Sequence, residues 1–149
     1  MKTLKKWILL ACILLASFAI YALVSNTNKK PFQKRPFQDL KPEDVVSATA
    51  QLIPPDKTIE VTEIDKLTGY LNDVVIYRKD NSYSEYVGQA VVFTLSMADG
   101  TQTKVMEYNP FLVIDGIGYR TKYEPCEALN QFANSLLEKE DENWHFLYP

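Results

Sequence analysis

The chain has 149 residues, 46% apolar and 23% charged, a length and composition that suit one ordinary globular domain and exclude a fibrous or wholly disordered chain. Its formal charge of −3 is unevenly placed: residues 1–35 hold Lys2, Lys5, Lys6, Lys29, Lys30, Lys34 and Arg35 and no acid, while the rest holds nine basic residues against nineteen acids. So acidic a body excludes nucleic acid as a partner, because phosphate contacts need clustered lysine and arginine.

Met1 to Lys6 is basic, and Trp7 to Val24 is an eighteen-residue run without a charge. As a helix it would span about 27 Å, against a bilayer core of about 30 Å. Trp7 and Tyr21 stand near its ends, where amphipathic rings favour the headgroup zone. Residues 1–25 are therefore expected to form a single N-terminal transmembrane helix, a signal anchor that makes the membrane the chain's first partner. Two alternatives stay open. A cleaved secretory signal has its best small-residue site at Ser17-Phe18-Ala19, inside the apolar run. A lipoprotein signal would acylate Cys12 in Leu9-Leu10-Ala11-Cys12, although the apolar run continues for twelve residues beyond that cysteine. Lys2, Lys5 and Lys6 favour an inside N-terminus and so an extracytoplasmic body, while Lys29, Lys30, Lys34 and Arg35 pull the other way.

Residues 26–39 read as a basic, proline-containing linker with a tandem echo, Pro31-Phe32-Gln33-Lys34-Arg35 followed by Pro36-Phe37-Gln38. Proline favours extended backbone and prevents a helix there. The body, residues 40–149, is large enough to hold a core without staples. Its one cysteine, Cys126, excludes a bridge within it.

Val45 to Ile53 reads as a strand ended by Pro54-Pro55-Asp56, and Thr58 to Val61 as a short extension or partner. Thr62-Glu63-Ile64-Asp65 has the form of a capping box. The helix it would open runs to about Asn72, with Ile64, Leu67, Tyr70 and Leu71 as its buried stripe. Val74 to Tyr77 is a strand, and Asp80-Asn81-Ser82 turns the chain. Beyond Tyr86 the pattern alternates strictly, Val91, Phe93, Leu95 and Met97 on one side and Ala90, Val92, Thr94 and Ser96 on the other. Asp99-Gly100 signals a hairpin, returning as Thr103 to Tyr108. Phe111 to Ile114, Asp115-Gly116 and Ile117 to Lys122 form a second hairpin. Glu124-Pro125 opens a last helix with Ala128, Leu129, Phe132, Leu136 and Leu137 on its apolar face, followed by an apolar tail from Asn143 to Pro149. Consecutive hairpins with two helices predict an α+β fold, an antiparallel sheet of five or six strands with both helices on one face.

Each candidate for chemistry has a plainer reading. Cys126 lies in a helix first turn, which favours a thiolate, but a nucleophile needs a base, and the sole histidine, His145, is nineteen residues on in the tail. His145 has no second histidine or cysteine pair with which to hold a metal. Asp99 and Asp115 are explained by turn geometry, and Glu124 and Glu127 by the helix dipole. Gly116-Ile117-Gly118 lacks the third glycine and following helix of a phosphate cradle. No catalytic residue, metal ligand or cofactor site is therefore expected. The aromatic load of Tyr70, Tyr77, Tyr83, Tyr86, Tyr108, Tyr119 and Tyr123 stands out, and Tyr86, Tyr108 and Tyr119 are the candidates for a solvent-facing binding surface.

Four stretches carry a resemblance: Pro36-Phe37-Gln38-Asp39-Leu40, Pro54-Pro55-Asp56-Lys57-Thr58, the run from Asn109 to Tyr119, and the run from Tyr123 to Asn130. The chain resembles an uncharacterised group of membrane-anchored or lipoprotein-like extracytoplasmic domains of clostridial-type Gram-positive bacteria. A similar domain is appended to membrane metallopeptidases of the β-lactam-sensor type. The resemblance implies an address outside the cell and a sensing or interaction role. The peptidase's His-Glu zinc motif is absent here, so no proteolysis carries over. The expectation is a membrane-anchored binding or interaction module, not an enzyme, for an unknown envelope protein or small ligand. Its rival is an inhibitor-like or immunity-like protein that blocks a partner enzyme with the Asp99-Gly100 or Asp115-Gly116 hairpin loop. A small hydrolase built on Cys126 ranks third.

Overall fold

The chain divides into two compact units, Met1–Pro31 and Phe32–Pro149. A computed structural model describes residues 33–140, with Leu15 and Ser17 before them. The rest of the expected transmembrane helix, Cys12, His145 and the apolar tail lie outside the described residues. Among those described, no helix is long and apolar enough to cross a membrane.

The body is α+β, with a seven-stranded, wholly antiparallel sheet and two helices. The strands are β1 (Val45–Ile53), β2 (Lys57–Glu60), β3 (Ile76–Lys79), β4 (Ala90–Met97), β5 (Gln102–Tyr108), β6 (Phe111–Ile114) and β7 (Ile117–Thr121). Helix α1 spans Ile64–Asp73 and α2 spans Tyr123–Glu140. The sheet order is β2-β1-β4-β5-β6-β7-β3. The strand count is seven rather than five or six because the stretch expected as an extension or partner, Lys57–Glu60, pairs with β1 as an edge strand of its own, while the strand expected at Val74–Tyr77 forms the opposite edge as Ile76–Lys79, paired with β7.

Registry sorts the strands into two faces. Ala50 faces Phe93 and Phe93 faces Val105, so these belong to one layer of the core, and all three are fully buried. Leu67 and Leu71 of α1 and Cys126, Leu129, Ala133 and Leu137 of α2 complete the core without exposure. A fully buried leucine of this kind contributes about 2 kcal/mol by removing apolar area from water. The expected stripe of α1 holds, Ile64 and Tyr70 packing half-buried beside Leu67 and Leu71, while on α2 Leu129, Phe132, Leu136 and Leu137 are buried as expected and Ala128 is only partly so. On β4, Val91, Phe93 and Leu95 point inward as the alternation requires.

Three local expectations change. The capping box at Thr62–Asp65 does not form, and Glu63 makes no cap hydrogen bond at the start of α1. Its carboxylate is held instead by Lys139 at 2.6 Å and by Lys66. The strand expected at Val74–Tyr77 begins at Ile76, because the Val74 N–H closes α1 on Leu71 O at 3.1 Å. The linker also ends earlier than Asp39. Lys34 forms an antiparallel bridge with Ile76, and Phe37 and Leu40 pack against the core.

Candidate functional site

The three tyrosines singled out for a binding surface do not share one. Tyr108 lies opposite Phe111, and Phe111 opposite Arg120. Tyr119 lies opposite Leu112 in the adjacent, oppositely facing column, and packs half-buried against the core. Side chains alternate between faces along a strand, so Tyr108 and Tyr119 point to opposite sides. Tyr86 joins the Tyr108 side: its ring meets Phe111 edge-on at 5.0 Å, with Tyr83 doing likewise at 6.5 Å. The Arg120 guanidinium stands 4.1 Å over the Phe111 ring and donates to Asp80 at 2.9 Å and to the Tyr86 hydroxyl at 3.3 Å. Phe111 is thus fully buried on the face away from the helices. The aromatics there are a second small core held by a cation, with Tyr86 half-exposed at its edge.

That cluster depends on the Asp80–Ser82 turn. Asp80 Oδ1 accepts from the Ser82 hydroxyl at 2.7 Å and the Ser82 N–H at 3.0 Å. These bonds, then Arg120, hold its carboxyl at a pKa of about 2. Gly118 lets the turn lie on β7: its N–H donates to Asn81 Oδ1, and its carbonyl accepts from the Asp80 N–H, each at 2.8 Å. The Gly116-Ile117-Gly118 run therefore serves a hairpin and a close approach.

The hairpin tips differ. Asp99 Oδ1 accepts from the Thr101 N–H and hydroxyl, which closes an exposed turn on itself. The Asp115–Gly116 tip is tied back to β5, Asp115 Oδ1 accepting from the Lys104 N–H at 2.8 Å and the Asp115 N–H donating to Lys104 O at 2.9 Å. As a free inhibitory loop, the Asp115–Gly116 tip is compromised.

Cys126 is fully buried. Burial first, then the neighbouring Glu107 carboxyl, pushes its thiol far above the ordinary range. The hydrolase reading needs an exposed, activated Cys126, and the fold supplies the opposite.

Two arrangements that sequence reasoning missed flank α2. On one side is a polar cluster around Glu107, the one buried acid among the described residues. Asn130 Nδ2 donates to Glu107 Oε2 at 2.9 Å, and the Asn109 N–H donates to Oε1 at 3.0 Å. The Cys126 thiol lies 3.5 Å from Oε1. Desolvation dominates these bonds and raises the Glu107 pKa to about 7. The signal in the sequence was the phase of Glu107, two residues from buried Val105 on the same face of β5.

On the other side of α2 an open cleft of about 470 Å³ runs between the Lys34–Leu40 arm, α1 and α2. Tyr70, Val75, Pro125 and Ala128 give it apolar walls. Arg35 and Lys122 line it as cations, balanced by Asp73 at 3.2 Å and Glu124 at 3.6 Å. Arg35 also donates to the Asn72 carbonyl at 2.7 and 3.1 Å, satisfying an open acceptor in the last turn of α1. Neither flank gathers three or more metal-ligating side chains among the described residues. No family, curated protein or solved structure matches the chain.

Proposed function

We propose that the chain is a membrane-anchored extracytoplasmic binding module, not an enzyme, and that it meets an envelope partner at the cleft between α1 and α2. The cleft carries this reading. Its volume lies in the range of ligand sites, and its apolar walls with a few placed charges have the usual anatomy of one. Arg35 and Lys122 offer two cations whose present acids are exposed, so a ligand carboxylate would exchange one solvent-facing pair for another at little cost.

Arg35 links this site to sensing. It lines the cleft and belongs to the arm through which the body joins the basic N-terminal segment. A ligand that draws Arg35 from Asp73 would loosen the arm from α1. The apolar run Trp7–Val24, its flanking lysines and the resemblance to clostridial extracytoplasmic domains support the address.

The test is site-specific photo-crosslinking in cells with the full chain, the crosslinker replacing Ala128. The expected result is one reproducible adduct with an extracytoplasmic protein that weakens at least tenfold in the Lys122→Glu variant. A crosslinker placed instead at Thr101, on the far hairpin, should give no such adduct. Equal labelling from both positions, or none from Ala128, would reject the cleft.

A further inference from the structure

Glu107 is enclosed on every side. In register, β4 presents Val91 and β6 presents Leu112, both apolar. From α2 it meets Cys126 and Asn130, while Glu127 and Tyr123 interact with it through space. Its three donors, the Asn130 amide, the Asn109 N–H and the Cys126 thiol, are neutral, and the nearby acid Glu127 opposes its charge. A buried carboxylate normally has a cation or metal beside it. Here dipoles alone face the charge. In the same cluster Asn109 Oδ1 is a buried acceptor without a partner.

A chain of amides leads outward from the carboxyl. Asn130 Nδ2 lies 2.9 Å from Glu107 Oε2 and 3.3 Å from Gln89 Oε1. Asn134 Nδ2 donates to the same Gln89 oxygen at 3.0 Å and to Asn130 Oδ1 at 2.9 Å. Gln89 Nε2 donates in turn to Pro54 O at 3.1 Å, in the β1–β2 turn. Gln89 directly follows Tyr86-Val87-Gly88, an exposed segment in which Val87 is wholly in solvent.

We infer that Glu107 is a proton-binding site whose occupancy is relayed through Asn130 and Gln89 to the exposed Tyr86–Gly88 segment. The inference goes beyond the binding reading and stands without it, since it concerns the opposite flank of α2. Charged, the carboxylate holds one Asn130 Nδ2 hydrogen by a charge-assisted bond at 2.9 Å, and the other makes only the longer 3.3 Å bond to Gln89 Oε1, which Asn134 holds at 3.0 Å. Protonated, the carboxyl is neutral and carries an O–H of its own, the hold on Asn130 weakens, and the amide shifts so that its existing bond to Gln89 tightens. One proton enters from solvent and goes to the Glu107 carboxyl, while Cys126 keeps its own. Burial sets the midpoint near pH 7, where a modest change in external acidity moves the population most.

The experiment is a carboxyl-carbon NMR titration of the full chain in detergent micelles, glutamate-labelled, from pH 5 to 9. Glu107→Gln assigns the resonance. The expected result is one glutamate midpoint about 2.5 pH units above the ordinary value, missing in Glu107→Gln. The Val87 and Gly88 amide shifts should follow the same midpoint in the wild type. Asn130→Ala keeps the test open should Glu107→Gln not fold: the carboxyl midpoint should stay above 6 while the Val87 and Gly88 response is lost. A Glu107 midpoint below pH 5 would overturn the proton site. A Val87 and Gly88 response that is absent in the wild type, or unchanged in Asn130→Ala, would overturn the relay.

Discussion

The Cys126 sulfur lies 3.5 Å from Glu107 Oε1 and 3.3 Å from the Phe111 carbonyl, so the thiol proton has two acceptors and no base that would leave a thiolate. An acid beside a thiol disfavours the anion, and so does burial. A helix first turn works the other way, but the dipole contributes about 1 kcal/mol where it is exposed, which burial outweighs here. Cys126 is therefore expected to resist a disulfide reagent at pH 8 in the folded chain and to react promptly in denaturant. The contrast should exceed ~1000-fold, because reaction waits on opening of the core. With Cys12 replaced by serine, the assay reports Cys126 alone. Prompt labelling of the native fold would place the thiol at a surface the structure does not give it.

Stability should respond to pH with opposite signs at the two ends of the range. Glu107 has its pKa raised from 4.5 to about 7 by burial. Between those values the folded chain keeps a proton that the unfolded chain has lost. Its stabilising share is complete below about pH 4.5 and lost as pH rises through about 7, up to about 3 kcal/mol in all. Asp80 and Glu63 work in reverse. Ser82 holds the first at about 2, and Lys139 and then Lys66 hold the second at about 2. Their share is present above the ordinary carboxylate range and lost as pH falls toward 2. Denaturant unfolding across pH should therefore give a maximum near pH 5. Glu107→Gln should flatten the neutral limb and spare the acid limb. A neutral limb of unchanged slope in Glu107→Gln would assign the fall to other groups.

Much of this architecture was legible because one face of each element is apolar at the right period. Leu67 with Leu71, and Val91 with Phe93 and Leu95, are inside where spacing puts them. The short edges were legible only in part: Val74 to Tyr77 read as a strand two residues early, and Thr58 to Val61 read as either an extension or a partner. Lys57–Glu60 has one inward residue, Ile59, and no pattern can be read from one position. The tyrosines misled for a related reason. Alternation says which residues share a face within a strand, but not which strands lie side by side, and it takes the pairing of Leu112 with Tyr119 to set Tyr119 against Tyr108. Glu107 was legible in principle, as a charge in phase with Val105, but its partners Asn130 and Cys126 come from a helix whose docking the sequence does not state. The Arg35 contact was hidden inside a stretch whose prolines read as linker.

Gly118 tests the attachment of the Asp80–Ser82 turn. A Cβ there would run into Asp80 O and lie 2.7 Å from the Tyr83 ring. A ring edge can swing aside, but the carbonyl is fixed by its neighbours. Gly118→Ala should cost about 1–3 kcal/mol, the usual range for overpacking. It should also disturb Arg120, whose partner Asp80 must move. Gly116→Ala is the contrast: no atom crowds its Cβ, and the cost comes only from a φ of +82°. Near-ultraviolet circular dichroism should change in Gly118→Ala, through Tyr83 and Tyr86, and stay near wild type in Gly116→Ala. The reverse order would mean that the turn does not depend on this close approach.

Arg35 tests whether the arm is held by a side chain or by the backbone bridge beside it. Lys34 and Ile76 exchange two backbone hydrogen bonds, at 2.9 and 2.8 Å, while Arg35 reaches the last turn of α1 and the exposed Asp73. The ion pair with Asp73 is solvent-facing and weak by nature. The bonds to the Asn72 carbonyl are charge-assisted and satisfy a helix-end acceptor, so more is lost with them. Arg35→Ala should lower stability by about 1 kcal/mol, and Asp73→Ala by under about 0.5 kcal/mol. Amide exchange should quicken in Arg35→Ala at Lys34 and Ile76, whose bridge loses its neighbour, while amides of β4 and β5 hold their rates. If Arg35→Ala leaves exchange at Lys34 unchanged, the bridge alone holds the arm. Arg35 would then be free to answer a ligand in the cleft without loosening the tether, and the sensing route drawn through it would have to be abandoned.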